Sequence, residues 1–386
     1  MKIAYLGKIQ LSDVDLSYLH EAQKLSDFTY ILEICPRFLN GPAFNIKQIY
    51  KKTGVFKATD AYPEFRKYAN YIDTEKFYVV NTYGRLWQLK SFWSYILLVL
   101  FLIRKKFDII HLVWPPNIYE FFIYFLRRKM LLTVHDPFPH SGLDTWIVRL
   151  RRKVAFYLIP YFIILNKKQR KDFLLSYQLS EDRVINSKLS CYTYLQTTEP
   201  DYSEVPQKGS YILFAGKISP YKGIDYLLPA MEKVHQQCPN CRLVVAGSGK
   251  YHFDISKYKL LNYIDIRNRF IPNNEMVALI QNCAFMVCPY TDATQSGVVM
   301  SAFAFNKPVI ATNVGGLPEM VKHQQYGLII KERDTNAIAE NIIMLWKHQD
   351  TINTFSDNIR KDYSSGELSW KTITEKILSI YINLAQ

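Results

Sequence analysis

The chain has 386 residues, with 48 Lys and Arg against 34 Asp and Glu, a formal net charge of +14, 49% hydrophobic and 15% aromatic residues. This composition excludes a disordered chain and a single small domain, and it suits two domains that each bury a full core. The basic excess calls for an anionic partner: nucleic acid, acidic lipid headgroups or a phosphorylated substrate.

The sequence opens directly on a strand, MKIAYLG, so no signal peptide is expected. Apolar runs at 3–6, 29–34, 77–80, 109–113, 130–134 and 162–165 read as strands, with longer amphipathic segments between them. Such alternation predicts a parallel sheet covered by helices. The loop after the first strand holds Asp13 and Asp15, read either as ligand-orienting acids or as helix caps. The run at 91–103, SFWSYILLVLFLI, is shorter than the ~20 residues of a spanning helix, so a buried or interfacial helix is expected. The longer run at 147–165 is charged at its start and interrupted by Pro160, which also argues against a span.

Charge is concentrated here. From Arg85 to Lys171 there are sixteen Lys or Arg and four acids, which leaves +12 of the +14 in this region. The cations come in short clusters beside Trp, Tyr, Phe and Leu, a pattern that fits an anionic membrane surface better than a nucleic-acid groove. No nucleic-acid module is visible, and nucleic acid is not an expected partner. His135-Asp136 ends the strand MLLTV and precedes His140 and Ser141; a His–Asp pair at a strand's carboxyl end can meet a substrate hydroxyl or anchor a loop. His111 sits mid-strand and reads as a core histidine.

A polar stretch at 197–210, TTEPDYSEVPQKGS, reads as a linker. Strand runs then restart at 211–215, 242–246, 263–266, 285–288, 309–311 and 327–330, with helices near 224–238, 274–282, 298–305 and 336–347 and a last helix at 370–384. The expected organisation is a Rossmann-like domain over 1–198, a linker over 199–210, a second Rossmann-like domain over 211–366, and a C-terminal helix over 367–386 packing back on the first domain. The fold class is α/β, two Rossmann-like domains facing a cleft, with ligand at the carboxyl ends of the strands. The six cysteines are expected to be reduced cytoplasmic thiols, and Cys238-Pro-Asn-Cys241 has no second pair to make a metal site.

Two turns of the second half carry the chemistry. After Gly216 come Lys217 and Lys222-Gly223, two lysines on a Gly-bounded turn that can both face an anion or can simply be solvated. After Cys288 a polar loop with Asp292 leads to Gln295, Ser296 and Gly297 and a helix beginning at Val298, whose N-terminus can hold an anion. Together they predict a diphosphate between two lysines and a helix N-terminus.

FAGKISPYKGIDYLLPAM, VVAGSGKY, RFIPNNEMVALIQNCAFMVCPY and KPVIATNVGGLPEMV, in this order, resemble the family 4 (group 1) retaining glycosyltransferases of GT-B fold, and FDIIHLVWPP and LLTVHD resemble them more weakly. The resemblance implies transfer of a sugar from a nucleotide-sugar donor with retained configuration, no metal and no cofactor beyond that co-substrate. It places the diphosphate-holding cations on Lys217 and Lys222, while His135 and Asp136 remain catalytic candidates from their place at the strand's end. It makes the first domain the acceptor side and the second the nucleotide-sugar side, with nucleotide contacts from Gly247, Gly249, Phe270, Ile271 and Pro272. The other donor-side candidates are Gly216, Ser296, Gly297, Val298, Ser301 and Glu319, with Gln295 and Asp292 as polar substitutes at the turn unless Asp292 only caps its loop. Asp13, Asp15, His140 and Ser141 are the acceptor-side candidates. Relatives usually carry two glutamates eight positions apart where this chain has Ala293 and Ser301, and ATQSGV resembles a variant subgroup with TQSG at this turn. The expected acceptor is a glycan or polyprenyl-linked glycan in surface polysaccharide or glycolipid synthesis, handled in the cytoplasm by a peripheral protein on the inner membrane face. A catalytically silent nucleotide-sugar binder and a GT-B-like nucleotide-sugar epimerase are the alternatives.

Overall fold

The computed structural model describes residues 1–82, 89–138 and 145–385. It is α/β, with two parallel-sheet, Rossmann-like units: Met1–Leu189 with Trp370–Gln386, and Ser190–Ser369. The units divide ahead of the polar stretch 197–210, which lies within the second. Gln196 Nε2 donates to the Ala304 carbonyl at 2.5 Å, and the Asp201 and Gly209 amides donate to the carbonyls of Asn274 and Asn282. These bonds bind the stretch to the second unit's own helices.

The first unit is built on an eight-stranded sheet. Its strands are β1 (Lys2–Lys8), β2 (Asp27–Ile34), β3 (Val55–Lys57), β4 (Phe77–Asn81), β5 (Ile109–Leu112), β6 (Met130–Val134), β7 (Tyr161–Ile164) and β8 (Val184–Asn186). They lie in the order β3-β4-β2-β1-β5-β6-β7-β8, and every pairing is parallel except β3 against β4. The edge strands β3 and β8 are only three residues long, too short to show a period in sequence. The chain winds outward from β1 to one side and returns through β5 to the other, so the order reverses between β1 and β5. The helix Trp370–Ala385 buries Trp370, Ile373, Ile377 and Tyr381 in this unit and packs against the helix Ser12–Leu25.

The second unit has six parallel strands: β9 (Tyr211–Ala215), β10 (Arg242–Gly247), β11 (Ile264–Asn268), β12 (Met286–Cys288), β13 (Val309–Thr312) and β14 (Gly327–Ile330), ordered β11-β10-β9-β12-β13-β14. β9 is buried along its whole length, as a strand covered on both faces must be. Each such Ile, Leu or Phe contributes about 1.5–3 kcal/mol by leaving water. The helices Ile224–Gln237 and Thr335–Lys347 pack together, the second capped by Asp334, whose carboxylate accepts from the Ala337 amide at 2.9 Å. A helix at Gln349–Ser364 went unread in the sequence, although Ile352, Phe355, Ile359 and Tyr363 are buried at helical spacing, because the rest of the segment is polar. Strand order here reverses between β9 and β12, so the turns after these two strands share the sheet's carboxyl edge.

Gly223 fixes that edge. Its φ is +66°, and a Cβ there would lie 1.8 Å from the Pro289 carbonyl oxygen, so the turn after β9 packs directly on the turn after β12. Gly209 also has positive φ, +75°, but nothing lies within 4 Å of its Cβ position. Gly209→Ala is expected to cost about 1 kcal/mol, the left-handed backbone strain alone, whereas Gly223→Ala costs at least ~2 kcal/mol more through the clash. Urea unfolding of the two variants checks the difference.

Candidate active site

Lys222 closes the turn after β9. It is 9% exposed, and its Nζ lies 3.7 Å from the centroid of the Tyr290 ring and 5.1 Å from that of Tyr221. Loss of water around the ammonium brings its pKa down to about 8, with Cys288 pulling weakly the other way. No carboxylate lies within ion-pair distance of it among the described residues. A buried cation resting only on aromatic faces is an incomplete arrangement, and an anion completes it. Lys217, at the end of the same strand, is exposed.

Tyr290 connects this lysine to the second turn. Its ring carries Lys222, its hydroxyl lies 3.4 Å from Ser296 Oγ, and its carbonyl accepts from Thr312 Oγ1 at 2.5 Å. Ser296 caps the helix Gly297–Ala304, accepting from the Val299 amide at 3.4 Å. The Gly297 and Val298 amides have no partner among the described residues. Gly216 reaches this first turn, since a Cβ on it would stand 3.3 Å from Val298 Cγ2. The structure therefore brings together Gly216, Lys222, Ser296, Gly297 and Val298, with Tyr290 as the member that sequence reasoning missed. Its only signal was an aromatic directly after the Cys288-Pro289 end of a strand.

The other donor-side positions vary in what they offer. Gly247 and Gly249 are required by close backbone approach: a Cβ on either would sit 1.9 or 2.1 Å from the carbonyl oxygens of Gly216 and Ile218. They fix the turn after β9 from its other side. Phe270 is exposed, Ile271 is buried, and Pro272 precedes the helix Asn273–Asn282. Nearby, Glu275 accepts from Arg267 at 2.9 Å and from Arg269 at 2.7 Å, which stiffens the end of β11. Asp292 and Glu319 are exposed and Gln295 is half-buried. Ala293 is buried against Gly315, and Ser301 Oγ donates back to the Gly297 carbonyl at 2.9 Å. Neither Ala293 nor Ser301 presents a carboxylate at this turn.

In the first unit, His135 and Asp136 follow β6. His135 is half-buried, its Nε2 is sheltered without a partner, and burial lowers its pKa to about 4, so it is a neutral imidazole at physiological pH. It lines a small pocket with His111, Thr133, Ser187 and Lys188. The Asp136 carbonyl accepts from Arg152 Nη2. His111 is a core residue, held by the Tyr381 hydroxyl at 2.5 Å and Thr133 Oγ1 at 2.7 Å. Asp13 and Asp15 lie in the first turn of the helix Ser12–Leu25, not on a loop. Asp15 is fully buried and accepts from Tyr5 at 2.9 Å and Tyr30 at 3.1 Å; burial raises its pKa well above the carboxylate range. Its oxygens are thus turned inward, onto the two tyrosine hydroxyls. Asp13 is half-buried, with its pKa raised to about 7 by burial. His140 and Ser141 lie outside the described residues.

Sequence reasoning also missed a charged cluster at the carboxyl edge of the first sheet. Lys8 at the end of β1 pairs with Glu33 of β2 and, at 2.7 Å, with Glu120; Tyr95 donates to Glu33 at 2.8 Å and Asn117 to Glu120 at 2.7 Å. Its members lie far apart in sequence and share no motif, so only the sheet brings them together. Every charge in it has a partner, so it has no equivalent of the open side of Lys222.

Residues 209–348 match the family model described as glycosyl transferases group 1. An uncharacterized glycosyltransferase of Methanocaldococcus jannaschii, MJ1607, is 28% identical over 180 residues, which is 44% of this chain and 44% of that protein. A putative glycosyltransferase of Bacillus subtilis, YtcC, is 33% identical over 162 residues, 39% of this chain and 40% of that protein. The matches thus span less than half the length of either relative. The crystal structure of Anabaena Alr3699/HepE in complex with UDP aligns with a TM-score of 0.68 at 15% identity, over 99% of this chain and 100% of that one, and it bears out the fold. The family match bears out the resemblance to group 1 glycosyltransferases read from the motifs of the second half.

The state of Lys222 sets a pH dependence. Its ammonium is fully formed well below pH 8 and is lost as pH rises through about 8, so affinity for inorganic pyrophosphate should fall across that window. Lys222→Arg keeps its charge and should flatten the profile, whereas Lys222→Ala should weaken binding by about 10- to 100-fold at pH 7. Titration calorimetry at several pH values measures all three.

Proposed function

We propose that this chain is a retaining glycosyltransferase that moves a sugar from a nucleotide-sugar donor to a glycan or polyprenyl-linked glycan in surface polysaccharide or glycolipid synthesis. The observation that carries this reading is the buried ammonium of Lys222, paired with no carboxylate among the described residues, beside the amides of Gly297 and Val298 at the strand-order reversal of the second sheet. A nucleoside diphosphate has the charge and length to occupy both. The group 1 match over residues 209–348 and the UDP-bound neighbour support it.

In the proposed reaction the bond between the sugar C1 and the diphosphate oxygen breaks. Negative charge grows on the leaving diphosphate, and Lys217, Lys222 and the amides of Gly297 and Val298 stabilise it with charges and dipoles already in place. The acceptor hydroxyl oxygen bonds to C1 on the face the diphosphate leaves, and its proton passes to the departing phosphate oxygen. Configuration is thereby retained without a side-chain nucleophile. Charge stabilisation is assigned to the lysines and amides, without a metal. We assign His135 a hydrogen bond to a substrate hydroxyl as a neutral imidazole, and Asp13 and Asp136 to the acceptor side. Gln295 and Asp292 are assigned the sugar hydroxyls in place of the missing glutamates, and Phe270 to Pro272 the nucleotide base. The reaction is placed in the cytoplasm at the inner face of the membrane, where a polyprenyl-linked acceptor is presented.

Donor binding without turnover is the second reading, and Ala293 and Ser301 are the observation that favours it. Incubation with a panel of nucleotide sugars and polyprenyl-linked or oligosaccharide acceptors separates the two. The expected result is a glycosidic product with the donor's anomeric configuration by NMR, and a loss of about 100-fold or more in kcat/KM for Lys222→Ala. Donor-induced thermal stabilisation without any product would sustain the silent binder. A covalent glycosyl-enzyme seen by mass spectrometry would overturn same-face attack, and conversion of the donor sugar to its epimer without acceptor would indicate an epimerase.

A further inference from the structure

Three neighbouring elements of the first unit turn apolar side chains outward. On the helix Trp146–Leu158 the buried residues are Arg152, Ala155 and Phe156, while Trp146, Leu150, Val154 and Tyr157 are exposed, Tyr157 by 81%. At 3.6 residues per turn these four share one face, so the usual arrangement is inverted: the apolar stripe faces water. Exposed Arg149 and Lys153 lie along one border of the stripe. The helix Leu89–Lys105 repeats the pattern, with Leu89, Trp93, Leu100 and Ile103 exposed on one face and Arg104 and Lys105 at its end. Between them lies the 3-10 segment Ile118–Lys129, which contacts both helices, exposes Phe121 and, by 72%, Phe125, and ends in Arg127, Arg128 and Lys129. More than half of the exposed large apolar side chains among the described residues sit on these three elements; the others are scattered.

Charge selects the occupant. The three elements hold a single acid, Glu120, which is buried and paired with Lys8. A second copy of the chain would bring cation against cation across a face with no exposed acid to receive it. A layer that offers negative charge at its surface and hydrocarbon just beneath meets both features, with Trp and Tyr at the boundary and the Lys and Arg ends among the headgroups. No described helix is long and apolar enough to cross a membrane, so contact is along the surface.

We propose that this face of the first unit, centred on Phe121, Phe125, Trp146, Leu150 and Tyr157 and rimmed by Arg127, Arg128, Arg149 and Lys153, docks on an anionic lipid bilayer. The proposal rests on the glycosyltransferase reading only for its purpose, which is to hold the enzyme where a lipid-linked acceptor lies; the surface chemistry is independent of it. The insertion is shallow, and neither apolar contact nor charge alone suffices for stable attachment.

The test uses the full chain and vesicles of phosphatidylglycerol and phosphatidylcholine in about equal parts, at about 0.15 M salt, beside vesicles of phosphatidylcholine alone. Flotation should recover the protein with the anionic vesicles only. Phe125→Glu with Trp146→Glu, and separately Arg149→Glu with Lys153→Glu, should each weaken binding by about tenfold or more, while Leu260→Glu, an equally exposed apolar site in the second unit, should not. Failure of the unaltered protein to float with anionic vesicles, equal flotation with neutral ones, or an equal loss in Leu260→Glu would overturn the proposal. So would a dimer on size-exclusion chromatography that Phe125→Glu with Trp146→Glu dissolves, since the face would then be a self-contact. Thermal stabilisation by a nucleotide sugar is read in parallel. Its retention in all variants confirms that they are folded, and its absence from the unaltered protein would count against the enzyme reading while leaving the docking result to stand or fall alone.

Discussion

The placement of one ammonium group organises the second unit. Lys222 sits out of water on the face of Tyr290 without a carboxylate, and its cost is tolerable only because three other features converge there. Gly223 lets the turn after β9 rest on Pro289, Gly247 and Gly249 admit the neighbouring turn from the other side, and Ser296 ties the following helix to the Tyr290 hydroxyl. Each contact is backbone packing or a capping bond of ordinary kind. Together they leave one positive charge and two free amides at the carboxyl edge of β9 and β12. An anion restores what burial removed from Lys222, so binding and local stability draw on the same interaction.

The first unit uses its buried charge differently. Asp15 is consumed by two tyrosines, and Lys8, Glu33 and Glu120 neutralise one another. These groups hold the ends of β1 and β2 and the helix Ser12–Leu25 in place and offer no open valence. The neutral His135 keeps one sheltered nitrogen unpartnered among the described residues.

Most of the fold was legible because covered parallel strands write themselves as continuous apolar runs, and all six strands of the second sheet were found within about two residues. What escaped was short or disguised: β3 and β8 at three residues each, and the polar helix Gln349–Ser364. Of the site, the lysines and the helix N-terminus stood out because Gly and Lys on turns have a direct physical meaning. Tyr290 and the Lys8 cluster did not, since a cation's seat and a charge network are made by residues distant in sequence. Asp15 shows the converse: an acid after the first strand reads as available until its burial is known. The basic–aromatic character of residues 85–171 was visible in composition, but only the structure shows that Trp146, Leu150 and Tyr157 face outward together.

The central claim is that the charge on Lys222 and the open helix end exist for a diphosphate. Calorimetric titration of the full chain with UDP, UMP and uridine tests it most directly. Affinity should rise with each phosphate, UDP should bind about 100-fold or more tightly than uridine, and the gap should narrow as salt is added. Equal affinity for uridine and UDP, unchanged by salt, would contradict the claim.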